Sequence, residues 1–251
     1  MSTEPVCVLS IAGFDPSGGA GILADIKTFE ANQVCGMGAV SALTFQNDTE
    51  FDGVKWIDAD EILKQVTTLQ KNFNFKVIKI GLIKNIDTLT IIISSLKSTD
   101  GNLFFIWDPI LKASAGFEFH PTIEHEKLIS LLKNVDLITP NTDEAKSLTG
   151  IDDPKEAAQE LSKYCNVHLK GGHDTEEPGT DYLFTRNKIE KIVPASTTIH
   201  PKHGSGCVLS SAIAANLAKG NDLITSCRNA KKYTEKFLSS HSSLLGVHHV
   251  E

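Results

Sequence analysis

The sequence predicts an α/β protein with a mainly parallel central sheet covered by helices on both faces. Three observations carry that expectation. From residue 76 onward, apolar runs of strand length alternate with stretches of helical periodicity, the pattern of repeated β-α-β units. An apolar run over 6–12 leads straight into a loop with four glycines between Gly13 and Gly21, and then into a helical stretch. Near the other end, His203-Gly204-Ser205-Gly206-Cys207 opens a second glycine-rich helix start. With 251 residues, 41% hydrophobic and 22% charged, the chain can bury a substantial core, and a single domain over 1–251 is expected.

Taken in order, the run over 6–12 lacks alternation, as a strand buried on both faces should. A helix over 22–33 and a second strand over 38–45 follow. Residues 51–57, with Val54 and Trp56 alternating, read as a short strand or hairpin arm outside the main sheet. Ile62, Leu63, Val66 and Leu69 share one face of a helix over 58–73. Strands at 76–80, 103–107 and 135–139 then alternate with helices near 86–96 and 122–132. Segments 180–184 and 188–193 pair across Arg186-Asn187 as an edge hairpin. Val208, Leu209, Ala212, Ile213 and Leu217 recur at helical spacing up to Gly220, and an amphipathic helix over 223–238 ends the pattern.

Composition removes several classes of function. A formal net charge of −7 with no Lys/Arg block argues against nucleic acid, whose backbone demands a basic face. No run of 18 apolar residues occurs and no basic-apolar leader opens the chain, so a soluble, cytoplasmic protein without membrane partners is expected. The five cysteines are odd in number and widely spaced, which supports neither a disulfide framework nor a zinc site and fits a reducing compartment.

The chemistry-bearing residues sit at predicted turns. Gly204, Ser205 and Gly206 let the backbone turn tightly and aim successive N–H groups outward at a helix N-terminus, which makes an anion hole. Cys207 stands at its mouth, where the helix terminus lowers a thiol's pKa, so that it holds a catalytic proton or positions a substrate hydroxyl. Alone, the same residues also read as a helix start with a packed cysteine. The first glycine-rich loop lacks G-x-G-x-x-G, which favours a small-ligand loop over a dinucleotide one. Asp25, one turn into the following helix, either faces that loop or is a solvated helix carboxylate. Gln46 ends the second strand with an amide able to pair with a heterocycle. Asp108, Asn141 with Glu144, and Lys170 each follow an apolar run, where ligands collect in parallel sheets, and together suit Mg²⁺ and phosphates. Asn141 and Glu144 equally have the spacing of a helix cap.

The ordered set Ala12–Thr28, Gln46-Asn47, Lys79-Ile80-Gly81, Asp108-Pro109, Thr139-Pro140-Asn141 with Glu144, Lys170-Gly171-Gly172-His173 and His203–Cys207 resembles the hydroxymethylpyrimidine/phosphomethylpyrimidine kinases of thiamine biosynthesis. The resemblance spans nearly the whole chain. It implies a three-layer α/β/α ribokinase-like fold and two successive ATP- and Mg²⁺-dependent phosphorylations, of 4-amino-5-hydroxymethyl-2-methylpyrimidine and then of its monophosphate. It further implies that Gly13, Asp25, Gln46, Leu82 and Ile110 line the pyrimidine pocket. Asp108 and Glu144 would act at the metal, Asn141 and Lys170 at the nucleotide, and Gly204, Ser205, Gly206 and Cys207 at the transferring phosphoryl group. Leu82 replaces the family's usual methionine, Ser205 its usual threonine, and Ile110-Leu111-Lys112-Ala113-Ser114-Ala115-Gly116 departs from its Val-Met and Ala-Lys-Ser-Gly patterns. The alternatives are a pyridoxal kinase of the same superfamily, which commonly has aspartate in place of Cys207, and a catalytically silent pyrimidine-binding protein. A homodimer is compatible with the resemblance.

Overall fold

The computed structural model describes residues 5–112, 119, 123–172, 177–195 and 199–249. Nine strands form one sheet in the order β3-β2-β1-β4-β5-β6-β7-β8-β9. The inner six, β2 (Cys35–Gln46), β1 (Cys7–Phe14), β4 (Phe75–Ile80), β5 (Phe104–Trp107), β6 (Leu137–Ile138) and β7 (Asn166–Leu169), are parallel. At the edges β3 (Phe51–Trp56) runs antiparallel to β2, and β8 (Asp181–Phe184) with β9 (Ile189–Ile192) form the expected hairpin beyond β7. Residues 51–57 therefore belong to the main sheet after all. Alternation marks a strand exposed on one face, and an edge strand of the sheet presents the same signal as a detached arm.

Successive side chains on a strand point to opposite faces. Leu9 and Ile11 of β1, Ile78 and Ile80 of β4, and Phe105 and Trp107 of β5 pack with α2 (Ala59–Leu69), α3 (Ile86–Thr99), α4 (His125–Leu132), α5 (Thr142–Thr149) and α6 (Pro154–Leu161). Val8, Val77 and Ile106 point the other way, against α1 (Gly21–Ala31), α7 (Ser205–Ala218) and α8 (Leu223–Ser239). Three layers result. α7 is apolar nearly all round and is buried from Cys207 through Asn216, as a helix enclosed by sheet and neighbouring helices must be. No described helix is long and apolar enough to cross a membrane.

The short elements depart most from expectation. β6 is two residues long, although the flanking Asp136 and Thr139 N–H groups still bond to Phe105 and Trp107 of β5. α4 starts at His125, and Thr122, where its start was expected, lies outside the described residues. α5 and α6 are eight residues each with few large apolar side chains, and are set by local capping: an Asn141–Glu144 box with left-handed Gly150 for one, Asp153 before Pro154 for the other.

Candidate active site

The carboxyl ends of the parallel strands open into a cleft of about 1480 Å³, lined from residue 13 to residue 244. That exceeds the ~300–1,000 Å³ of a typical single-ligand pocket and leaves room for two ligands side by side.

One wall is made by two loops packed backbone to backbone. Asp15 organises the first: its carboxylate accepts the Ser17 and Ala20 N–H groups at 2.9 Å each, the Ser17 hydroxyl, and His203 Nε2 at 2.9 Å. Burial works to raise the Asp15 pKa, yet these bonds, with His203 foremost, hold it below the ordinary value. Gly204 has φ 73°, and a Cβ there would stand 2.1 Å from the Gly19 carbonyl oxygen. Only glycine fits such a position. Gly204 is also the N-cap of α7, so the N–H groups of Ser205, Gly206 and Cys207 have no partner within the helix and belong to the first turn facing the cleft.

Beside that turn stand the acids and the lysine. The Lys170 ammonium donates to Asp108 Oδ1 at 2.9 Å and lies 3.5 Å from Glu144 Oε2. It also lies 3.1 Å from where a Gly206 Cβ would be, so the cation sits beside the anion hole. Asp108 further accepts the hydroxyls of Thr139 at 2.8 Å and Ser210 at 3.2 Å. Burial alone would raise its pKa, but Lys170 and then Lys79 hold it below the ordinary value. Glu144 goes the other way, pushed up to about 7 by burial, with Asp108 adding and Lys170 opposing. Asn141 and Glu144 do make the capping box, at 2.8 and 2.7 Å, and both still line the cleft. The capping role therefore does not withdraw either side chain from the cleft. Among the described residues no three His, Cys, Asp or Glu side chains cluster as an all-protein metal cage. Two carboxylates beside a phosphate-sized opening instead suit Mg²⁺, which keeps several waters and takes the rest of its ligands from phosphates. Glu144, driven by burial to hold a proton, equally gains from a nearby cation.

Gly13, Gln46, Leu82 and Ile110 line the other end of the cleft. Gly13 follows a register shift in the β1–β2 pairing, and Leu82 is fixed by a 2.5 Å hydrogen bond from the Ser41 hydroxyl to its carbonyl. Lys112 lines the cleft as well, whereas Ala113–Gly116 and His173 lie outside the described residues.

Two expectations are corrected. Asp25 does not line the cleft: it is fully buried, with its carboxylate paired to Lys79 at 2.8 Å. The Cys207 thiol is not lowered but pushed up to about 11, chiefly by burial, with Asp25 and Asp108 adding, so that Lys79 and the Gly21 N–H cannot compensate. The sequence reading passed over Asp15, Thr139 and Ser210, which act on site residues from behind. Asp15 and Thr139 stood inside the quoted motifs.

A three-layer α/β/α fold with a helix-terminus anion hole facing an acid–lysine cluster defines a phosphotransferase of the ribokinase-like superfamily. The family profile of phosphomethylpyrimidine kinase matches residues 15–250. A hydroxymethylpyrimidine/phosphomethylpyrimidine kinase of Aquifex aeolicus is 34% identical over 244 residues, covering 94% of this chain and 95% of its own. The chain belongs to the phosphomethylpyrimidine kinase family. Among solved structures, a phosphomethylpyrimidine kinase of Clostridium difficile superposes with a TM-score of 0.75 at 31% identity, covering 91% of this chain and 97% of its own. A Bacillus subtilis pyridoxal kinase in complex with ADP does so with a TM-score of 0.80 at 28% identity, covering 93% and 91%.

Proposed function

We propose that the chain transfers the γ-phosphoryl group of ATP to the hydroxymethyl oxygen of 4-amino-5-hydroxymethyl-2-methylpyrimidine, and a second one to the resulting monophosphate, giving the diphosphate for thiamine biosynthesis. The observation that carries this is the Lys170 ammonium set beside the Ser205–Gly206–Cys207 N–H groups in a cleft sized for two ligands. In the transfer, the substrate oxygen forms a bond to the γ-phosphorus as the bond to the bridging oxygen of ADP breaks. Negative charge collects on the equatorial phosphoryl oxygens, where fixed N–H dipoles and the Lys170 ammonium meet it without reorganising. Asp108 and Glu144 would hold Mg²⁺, which when bound neutralises the charge of the phosphates. Asn141 and Lys170 lie on the nucleotide side, in keeping with the ADP complex of the related Bacillus subtilis pyridoxal kinase. Cys207, protonated at neutral pH, positions the substrate hydroxyl by a hydrogen bond; the loose transition state requires little deprotonation before attack.

Gly13, Gln46, Leu82 and Ile110 form the ring pocket. The Gln46 amide offers an acceptor and donors matched to an aminopyrimidine edge, which a pyridine ring lacks. Phosphorylation of pyridoxal is the second reading, favoured by the likeness to the Bacillus subtilis enzyme. One sheet holding the nine described strands supports a single kinase domain, and five widely spaced cysteines support a reducing, cytoplasmic setting. Incubation with Mg·ATP and each candidate ring, with mass analysis of the products, tests the proposal; no phosphorylated pyrimidine would defeat it. Gln46→Ala is expected to lower kcat/KM for the pyrimidine by roughly 5- to 150-fold, corresponding to about 1–3 kcal/mol for an unpaired polar edge. An unchanged kcat/KM would move the assignment toward pyridoxal.

A further inference from the structure

Beneath the cleft floor lies a charged pair that touches no solvent. Ser10 on β1 and Lys79 on β4 have the parity of Val8 and Val77, so they point into the otherwise apolar layer between the sheet and α1 and α7. There the Lys79 ammonium donates to both oxygens of Asp25 on α1, at 2.9 and 2.8 Å. The Ser10 hydroxyl donates to the same carboxylate at 2.5 Å and the Ser211 hydroxyl of α7 at 2.7 Å. All four side chains are fully buried.

Such a pair is a poor device for stability, since well-packed apolar residues of similar volume usually serve as well or better. Its placement is more telling. Each of the four elements it joins ends in, or begins from, the cleft wall: β1 at Gly13, α1 at Gly21, β4 just before Leu82, and α7 at Ser205, Gly206 and Cys207. Ser211 is one helical turn beyond Cys207, on the same side of α7. The Lys79 ammonium lies 2.9 Å from where a Gly81 Cβ would stand, so the chain leaves β4 directly over it. Burial works against the charge on Lys79, yet Asp25, Cys207 and Asp108 raise its pKa above the ordinary value, so the cation is kept next to both cleft residues.

We infer that Asp25 and Lys79 are positioning residues for phosphoryl transfer: the pair fixes the anion-hole turn of α7 against the ring-binding ends of β1 and β4. The inference rests on the kinase reading above. It assigns Asp25 a part played through other residues and not by contact with the ring.

Kinetics of the paired variant Asp25→Asn/Lys79→Met test it, because both charges leave together and the serines keep an acceptor. The expected result is a kcat lowered by roughly 10- to 100-fold, as for a reacting group misplaced by about an ångström. KM for ATP and for the pyrimidine should stay within about threefold, with a Tm equal to or above that of wild type. A wild-type kcat, or a loss confined to KM, would overturn the inference. Should the paired variant not fold, Ser211→Ala removes one hydrogen bond and no charge. There a kcat lowered severalfold at unchanged KM supports positioning, and a wild-type kcat overturns it. Wild-type protein that forms no phosphorylated product defeats the functional reading, whereas an active wild type whose variants match it defeats this inference alone.

Discussion

At Cys207 two physical effects compete. A helix N-terminus stabilises a thiolate, worth ~0.3–1 kcal/mol at an exposed site, but burial costs the charged form more and leaves the thiol at about 11. Sequence shows the first effect and conceals the second, because burial depends on elements packed from distant parts of the chain. At neutral pH the side chain is therefore a thiol that can donate to, or accept from, a substrate hydroxyl. Cys207→Ala is expected to lower kcat by roughly 10- to 100-fold, the low end of what a positioned proton-transfer group contributes. The thiol should also resist alkylation by iodoacetamide near pH 7. Wild-type turnover in Cys207→Ala would reduce the sulfur to a packing atom.

Among the elements, α7 carries the most chemistry, and its start depends on one dihedral angle. Gly204→Ala would add about 1–2 kcal/mol for the left-handed conformation and place a Cβ 2.1 Å from the Gly19 oxygen, so the two loops would have to separate. A lower Tm and a fall in kcat on the order of 100-fold are expected. Gly220→Ala is the control. Its φ of 90° carries similar strain, but nothing lies within 4 Å of the added carbon, so Tm should fall modestly while kcat stays at the wild-type value. Thermal melts and steady-state kinetics on both variants separate strain from loop displacement. α7 was legible because Val208, Leu209, Ala212, Ile213 and Leu217 repeat at helical spacing over several turns. α5 and α6 were not, since each has one leucine among alanines and polar residues, whereas the equally short α4 has four leucine and isoleucine residues; only the caps at Asn141 and Asp153 signal them. β3 was legible as a strand but not as a member of the sheet, because pairing partners are chosen by the fold.

Across the whole molecule, one buried histidine ties stability to pH. His168 is fully buried on β7, 3.3 Å from Asp181, which also binds Lys231 at 3.0 Å and accepts the Gly171 N–H at 2.8 Å. Burial alone would lower the His168 pKa, but Cys227 and Asp181 raise it to about 9 from 6.5. A pKa raised by folding adds stability that is fully present below 6.5 and lost as pH rises through about 9. Thermal melts should accordingly show Tm falling across that window, with the slope flattened in His168→Phe; an equal slope in the variant would place the coupling elsewhere. The cleft was legible in its parts, since Gly13, Gln46, Asp108, Glu144, Lys170 and Cys207 all stand at strand or helix ends and all line it. What sequence withheld was depth: whether a carboxylate such as Asp25 faces the opening or lies beneath it is decided by layers packed from distant segments.

The hydrogen bond between Asp15 and His203 spans 188 residues of chain. During synthesis the loop at Asp15 accordingly leaves the ribosome long before the turn at His203 that it binds. Until α7 emerges, the sheet face bearing Val8, Ser10 and Lys79 is covered by α1 alone, and neither ATP nor the pyrimidine meets a finished cleft. Substrates can therefore stabilise only nearly complete chains.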